Sequence, residues 1–148
     1  MYDQPRPNRA TPAMTFDQML ERVRYEGAYP TRERAVEAVR TVLAALGRQL
    51  TGDERVDLAQ ALPVEAAFTL TAQIPDTRHL TGWGFVKDLA ERAGATPAVA
   101  RWDTSAVLAI VASLAGPDLL ARILRRLPDG YAFLFGQAEL RRPEPAAA

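Results

Sequence analysis

Residues 31–63, TRERAVEAVRTVLAALGRQLTGDERVDLAQALP, decide the fold that the sequence predicts. Apolar residues recur at spacings of three and four between Ala35 and Leu50, which is the pattern of a helix buried along a broad face. Thr51 is followed three positions later by Glu54, a spacing that predicts a capping box at the start of the next helix. We therefore expect two helices joined at a sharp corner.

A helix is expected on each side of this corner. Before it, Thr15 and Gln18 have capping-box spacing, and an apolar stripe follows them at helical spacing. Gly27 is the expected left-handed stop of that helix. After the corner, Pro63 suits the first position of a helix that runs to about Ala72.

The second half of the chain repeats this arrangement, with its own corner between Pro97 and Pro128. Before that corner, Thr81 is expected to start a helix that stops at Gly94. Thr96, which is followed by a proline, is the predicted cap of the next helix. That helix should end near Gly116. Another helix should then begin at once and be followed by a short segment after Pro128.

Glycines, prolines and apolar positions keep the same order in both halves, whereas the charged positions differ. This pattern predicts an all-α, compact helical bundle of two related repeats of about four helices each. The predicted bounds are a flexible N-terminal arm at 1–14, repeat 1 at 15–73, a connector at 74–80, repeat 2 at 81–136 and a C-terminal tail at 137–148. The second repeat is expected to pack on the first as one domain.

The composition limits the classes of function that the protein can have. The chain has 18 basic residues (Lys and Arg) and 18 acidic residues (Asp and Glu), so it has no net charge that would attract nucleic acid or an anionic membrane. The chain has no cysteine, which excludes disulfides and thiolate chemistry. Its N-terminus lacks an apolar signal segment, and the uncharged apolar stretch at 104–117 is shorter than the roughly 20 residues of a membrane span. We expect a cytoplasmic protein without membrane contact.

Three phrases resemble a known family: AVEAVRTVLAALGRQLTGDERVDLAQALP in the first half, and LTGWGFVKDLAERAG and LPDGYAFLFG in the second. Together they are similar to the bacterial domain of unknown function 2267, over about Phe16 to Gly136. The resemblance implies an all-helical protein, in which the unit often occurs twice. It implies no established activity, so it assigns no catalytic residues.

No residue pattern predicts catalysis, a cofactor or a metal site. His79 is the sole histidine, and its neighbours do not have metal-ligand spacing, so we interpret it as a solvated linker residue. Asp53, Glu54 and Asp57 lack the spacing of a calcium loop, and they are expected to be structural acids at a helix start. The sequence therefore favours a protein that is not an enzyme.

Two features could serve nucleic-acid binding. The stretch 89–101, LAERAGATPAVAR, is similar to a helix-turn-helix phrase, but Trp102 beyond it fits a core position. Arg122, Arg125 and Arg126 form a basic cluster that either contacts phosphates or supplies cations favoured at a helix C-terminus. The second interpretation of the arginines is preferred.

Aromatic residues concentrate in the second half, at Trp83, Trp102, Tyr131, Phe133 and Phe135. Most are expected in the core, with Trp83 and Phe135 partly exposed because they lie near element ends. The predicted interaction surface comprises Trp83, Arg122, Arg125, Arg126 and Phe135.

Three functions remain open. The preferred hypothesis is a non-enzymatic interaction or scaffold protein that binds itself or another protein. The alternative is a nucleic-acid-associated regulator that uses residues 89–101 and the arginines at 122–126. A third class, an enzyme or small-ligand sensor, has no nominated residues and would require a polar pocket between the halves.

Overall fold

The computed structural model describes residues 14–137. The predicted N-terminal arm, apart from Met14, and the predicted C-terminal tail, apart from Gln137, lie outside these residues. Within them the protein is all-α, as predicted, and contains no strand. The seven helices are α1 (Phe16–Glu26), α2 (Arg32–Gln49), α3 (Gly52–Ala61), α4 (Val64–Thr71), α5 (Gly82–Ala93), α6 (Pro97–Arg126) and α7 (Tyr131–Leu134).

Threonine caps start four of these helices, as the sequence predicts. The side chains of Thr15, Thr31, Thr81 and Thr96 each accept a hydrogen bond from a backbone amide three residues later. At Thr15 the box is complete, because Gln18 Oε1 accepts from the Thr15 amide at 2.9 Å. These bonds satisfy amides that have no partner within the helix, and so fix where each helix begins.

Two local predictions are wrong. Thr51 makes no side-chain cap bond to α3. The carboxylate of Glu54 points instead toward α6, where it pairs with Arg122 and Arg126. Gly27 is not left-handed but has φ −90°, and the positive φ falls on the next residue, Ala28, at 53°.

The core lies around α2 and α6. Helix α2 packs against α1, α4, α5 and α6, while α6 also packs against α1, α3, α5 and α7. Helix α6 is broken at Gly116, whose φ of 83° and ψ of 163° are not helical, and Pro117 begins its second segment. Glycine adopts this φ without the strain that a Cβ would introduce. The break confirms the predicted end of one helix near Gly116 and the start of another.

By length and composition alone, α6 could cross a membrane. Core helices of globular proteins also meet this test, because both kinds of helix are rich in apolar residues. In this fold α6 is a core helix: Val107, Leu108 and Val111 are fully buried, and Asp103 is buried within a polar cluster.

Arg55 holds the first helical corner. Its Nη1 donates to the carbonyl oxygens of Gly47 and Leu50 near the end of α2, the latter at 3.0 Å. Its Nη2 donates to the Gln73 carbonyl just after α4 at 2.6 Å, and it also lies 3.3 Å from the carbonyl oxygens of Leu70 and Thr71. One guanidinium thus satisfies carbonyls that the ends of two helices leave without helical partners.

Candidate interaction surfaces

Trp83 and Phe133 form what we call the aromatic surface. Their exposed fractions are 59% and 67%. Trp83 follows Gly82 in the first turn of α5, and Phe133 lies three residues after Gly130. The Gly82 amide donates to the Asp129 carbonyl oxygen at 2.8 Å, so the start of α5 is bonded to the turn before α7.

Close backbone packing holds this surface. A Cβ added at Gly82 would lie 2.6 Å from the carbonyl carbon and oxygen of Gly130, so no larger residue fits without a shift. The Tyr131 hydroxyl donates to the Leu80 carbonyl oxygen at 2.9 Å. The Tyr131 ring meets Phe85 edge-on, with ring centroids 5.5 Å apart. Burial raises the pKa of Tyr131, so its hydroxyl remains a donor into the alkaline range.

The prediction that Phe135 is partly exposed is wrong, as is the core position expected for Phe133. Phe135 is 1% exposed and belongs to the core, whereas Phe133 faces solvent. The one-turn helix α7 buries Tyr131 and Leu134 on its inner side and turns Phe133 outward, and Phe135, the residue after the helix, is buried as well. Once the position of the helix is known, helical spacing from Tyr131 explains which of these side chains are buried. The sequence alone indicates only a cluster of aromatic residues.

The arginines at 122–126 divide into paired and unpaired residues. Arg122 Nη2 donates to the Asp57 carboxylate at 2.7 Å, and its Nη1 lies 3.5 Å from Glu54. Arg126 Nε lies 3.3 Å from the other oxygen of Glu54. Arg125 is exposed, and makes no ion pair within residues 14–137. The hydrogen bond that Arg122 donates to Asp57 raises the pKa of Arg122 despite some loss of solvation.

These pairs join α3 to the second segment of α6. Of the acids predicted to be structural, Glu54 and Asp57 have that role, as partners of arginine rather than as a cap. The two paired arginines have part of their charge neutralised within the fold, which leaves less positive potential for a phosphate.

A polar cluster absent from the sequence predictions joins α6 to the first half of the chain. Asp103, which is 8% exposed, accepts a hydrogen bond from the Tyr29 hydroxyl at 2.6 Å. Arg34 donates to both carboxylate oxygens of Asp103, at 3.1 and 2.9 Å, and its guanidinium lies 4.9 Å from the centre of the Tyr29 ring. The helical spacing of apolar residues could not reveal this cluster, because Tyr29 lies in a loop 74 residues from Asp103.

The cluster is electrostatically balanced. Burial raises the pKa of Tyr29, and the hydrogen bond to Asp103 raises it further, so the phenol stays protonated. Burial disfavours the charge on Arg34, but its hydrogen bond and charge pairing with Asp103 outweigh this and raise the pKa of Arg34. The buried carboxylate is therefore matched by one cation and one neutral donor.

Trp102 lies beside this cluster, and its predicted core position is wrong. Its Nε1 donates to the Gly27 carbonyl oxygen at 2.8 Å while 57% of the residue remains exposed. Most of the exposed residues in the first turns of α6 are apolar, and Arg101 is the basic residue among them. This start of α6 differs from a recognition helix that reads DNA with several polar and basic side chains.

Other exposed apolar side chains occur on α4 and in the connector. Val64 and Phe68 are one turn apart on α4 and are 75% and 72% exposed, and Ile74 is 85% exposed.

His79 is exposed in the connector, as expected. Within residues 14–137, no group of three or more histidine and acidic side chains is arranged to hold a metal.

Two open grooves lie along the first two helices. One, of about 650 Å³, is lined by Phe16 of α1 and by Arg32, Glu33, Val36, Glu37, Arg40 and Thr41 of α2. The other, of about 630 Å³, is lined by Met14, Asp17, Gln18, Glu21, Arg22 and Tyr25.

The fold and its surfaces define a class: an all-α protein with two long core helices, an exposed aromatic surface and ion pairs between helices. Within that class the chain belongs to the family described as "Uncharacterized conserved protein (DUF2267)", whose model matches residues 16–134. The family resemblance noted in the sequence is thereby confirmed. A comparison with curated proteins gives no match.

Proposed function

We propose that this chain is a non-enzymatic, cytoplasmic bacterial protein that binds a protein partner through the aromatic surface. The observation that carries the proposal is the exposure of Trp83 and Phe133 on the two sides of a close backbone contact. Tryptophan is enriched among the residues that dominate binding at protein interfaces. Because the contact between Gly82 and Gly130 limits backbone movement, the backbone that carries the two rings is positioned before binding, which lowers the entropic cost of association.

The test combines affinity capture with sedimentation velocity on the full chain. The Trp83→Ala/Phe133→Ala double variant should lose a partner that the wild type retains, with binding weakened about 30-fold or more. Ile74→Ala is the matched control, since Ile74 is also an exposed apolar residue but lies in the connector. A wild-type chain that sediments as a monomer and retains no partner, or a partner lost equally in the control, would contradict the proposal.

Nucleic-acid binding is the alternative function. The exposed Arg101 and Arg125 favour it, but Arg122 and Arg126 are paired with acids of α3. A band shift of DNA or RNA at low ionic strength that weakens steeply with salt, and weakens again in Arg125→Ala, would support this alternative. Absence of any salt-sensitive shift would remove it.

We also propose that the chain arose by internal duplication. Counted from the N-caps Thr31 and Thr96, buried residues of α2 and α6 coincide. Examples are Ala35 with Ala100, Val42 with Val107 and Leu43 with Leu108. From the caps Thr15 and Thr81, the buried Met19, Leu20 and Val23 coincide with Phe85, Val86 and Leu89. This agreement of buried positions supports the repeat.

A further inference from the structure

The groove on the outer face of α2 carries an ordered set of charges, and we infer that it binds one amphipathic helix of a protein partner. It is an open groove of about 650 Å³. Phe16 and Val36, both half-buried, supply its apolar part. The inference concerns a second surface, on the first half of the chain, and does not depend on the aromatic surface.

The charges of the groove form two parallel rows. Residues four apart on a helix lie one above the other, so Arg32, Val36 and Arg40 form one row with a cation at each end. Glu33 and Glu37 form the adjacent row one turn apart. A basic row therefore runs beside an acidic row along two turns of α2.

Some of these charges are available to a partner. Within residues 14–137, Glu33 and Arg40 make neither an ion pair nor a side-chain hydrogen bond, and both are exposed. Arg32 pairs with Asp17 at 2.6 Å, and Glu37 lies 3.7 Å from Arg34. Arg32 and Glu37 are themselves exposed to solvent, where an ion pair contributes little and can exchange for an intermolecular one.

The second long helix shows that helix formation does not require this charge layout. Counted from its own N-cap, α6 has uncharged residues or a lone arginine at the positions of the two rows. Those residues are Pro97, Ala98, Arg101, Trp102 and Ser105. The charge layout is thus specific to α2, although both helices start with the same threonine cap.

Charge complementarity specifies the partner. A helix with an apolar stripe at i, i+4 and i+7 would cover Val36 and Phe16. Acidic side chains on one flank of that stripe would face the basic row, and basic side chains on the other flank would face the acidic row. A helix whose acidic and basic residues are separated by end instead of by flank would place like charges together on both rows in either direction along the groove, so the groove should distinguish the two arrangements.

The test uses two synthetic helical peptides of identical composition. Both carry a leucine stripe. The first has glutamates on one flank and lysines on the other, whereas the second has glutamates on both flanks of one half and lysines on both flanks of the other half. Fluorescence anisotropy at low salt should show that the full wild-type chain binds one peptide at least tenfold more tightly. Since this comparison uses the wild-type chain, it does not depend on the folding of any variant.

A double variant tests the location. Glu33→Arg with Arg40→Glu leaves a cation at the N-terminal end and an anion at the C-terminal end of each row, so it should reverse the preference toward the second peptide, whereas Lys87→Glu on α5 should leave the preference unchanged. Equal affinity for the two peptides, no binding of either, or an unchanged preference in the double variant would overturn the inference. A concentration-dependent dimer in sedimentation that the double variant abolishes would assign the groove to a second copy and would also overturn it.

Discussion

Asp103 shows how one residue can join parts of a chain that are distant in sequence. It lies on α6, yet its three polar contacts come from Tyr29 before α2 and Arg34 on α2. A buried carboxylate is costly unless it is hydrogen-bonded and paired, and here both conditions are met. Removing one partner should therefore cost more than removing a surface ion pair.

A graded series of variants tests this cluster. Asp103→Asn leaves the Arg34 cation without its anion and should lower the free energy of unfolding by about 2 kcal/mol. Tyr29→Phe removes one hydrogen bond and should cost about 1 kcal/mol. Glu37→Gln, which breaks the exposed pair with Arg34 at 3.7 Å, should cost less than about 0.5 kcal/mol. Urea unfolding monitored by circular dichroism measures all three, and equal losses would contradict the assignment.

The buried tyrosines predict a loss of stability at alkaline pH. Burial raises the pKa of both Tyr29 and Tyr131 above the ordinary value of 10.0. Their contribution is therefore complete below pH 10 and falls as pH rises above it, because the unfolded state then loses phenolic protons that the folded state keeps. Each tyrosine should lower stability by at most about 1.4 kcal/mol per pH unit.

Urea midpoints measured from pH 8 to 11 check this prediction. The Tyr29→Phe/Tyr131→Phe double variant should show a flatter decline, although it should be less stable at pH 8 because two hydrogen bonds are lost. Tyr25→Phe is the control, since Tyr25 is 88% exposed. A decline that is equally steep in the double variant would show that other groups cause it.

At the scale of single residues, the sequence predicts which residues cap helices better than it predicts which side chains are buried. Thr15, Thr31, Thr81 and Thr96 cap as predicted, because a cap depends on a residue and its neighbours a few positions away. Trp102 and Phe135 were assigned to the wrong environments. Their exposure depends on which elements pack over them, and a hydrophobic residue type carries no such information.

At the scale of elements, the contact between the start of α5 and the turn before α7 sets the geometry of the aromatic surface. Two glycines allow the backbones to approach, and a hydrogen bond from Gly82 to Asp129 fixes them. The sequence predicted both the helix start at Thr81 and a segment after Pro128. It could not predict that they touch, because Gly82 and Gly130 belong to different elements and are 48 positions apart in the chain.

Two alanine substitutions in the same helical turn test this contact. Gly82→Ala would place a Cβ 2.6 Å from the Gly130 backbone and should destabilise the fold by about 1–3 kcal/mol. At Gly84 the nearest atom to an added Cβ is 3.4 Å away, so Gly84→Ala should be neutral or stabilise by up to about 1 kcal/mol through helix propensity. Thermal unfolding separates the two. Similar effects would mean that helix propensity, rather than the close contact, governs both sites.

The corner between α2 and α3 shows why a correct element can be predicted for an incorrect reason. The capping box at Thr51 predicted the corner, but Thr51 makes no cap bond and Glu54 pairs with α6. The corner is held instead by Arg55, which donates to carbonyls near the ends of α2 and α4. An arginine within an amphipathic pattern gives no signal of this role, because its acceptors are backbone oxygens brought together only by the fold.

At the scale of the whole molecule, the two halves share one core. Helix α1 packs on α6, α5 packs on α2, and α2 packs on α6. The buried cluster around Asp103 and the ion pairs of Arg122 add polar contacts between the halves. Separating the halves would expose the apolar faces of both long helices, and at roughly 25 cal/mol per Å² of exposed apolar area this cost is large compared with the total stability of a domain.

Unfolding should therefore be a single cooperative transition, although the sequence resembles two units. Both tryptophans, Trp83 and Trp102, lie in the second half, so fluorescence reports on that half while circular dichroism reports on all helices. The two urea curves should coincide, because neither half retains its core when the other unfolds. Asp103→Asn should shift both midpoints together. A fluorescence transition that precedes the loss of helix would show that the surroundings of the tryptophans unfold separately from the other helices, and that the contacts between α1 and α6 and between α2 and α5 do not couple the halves.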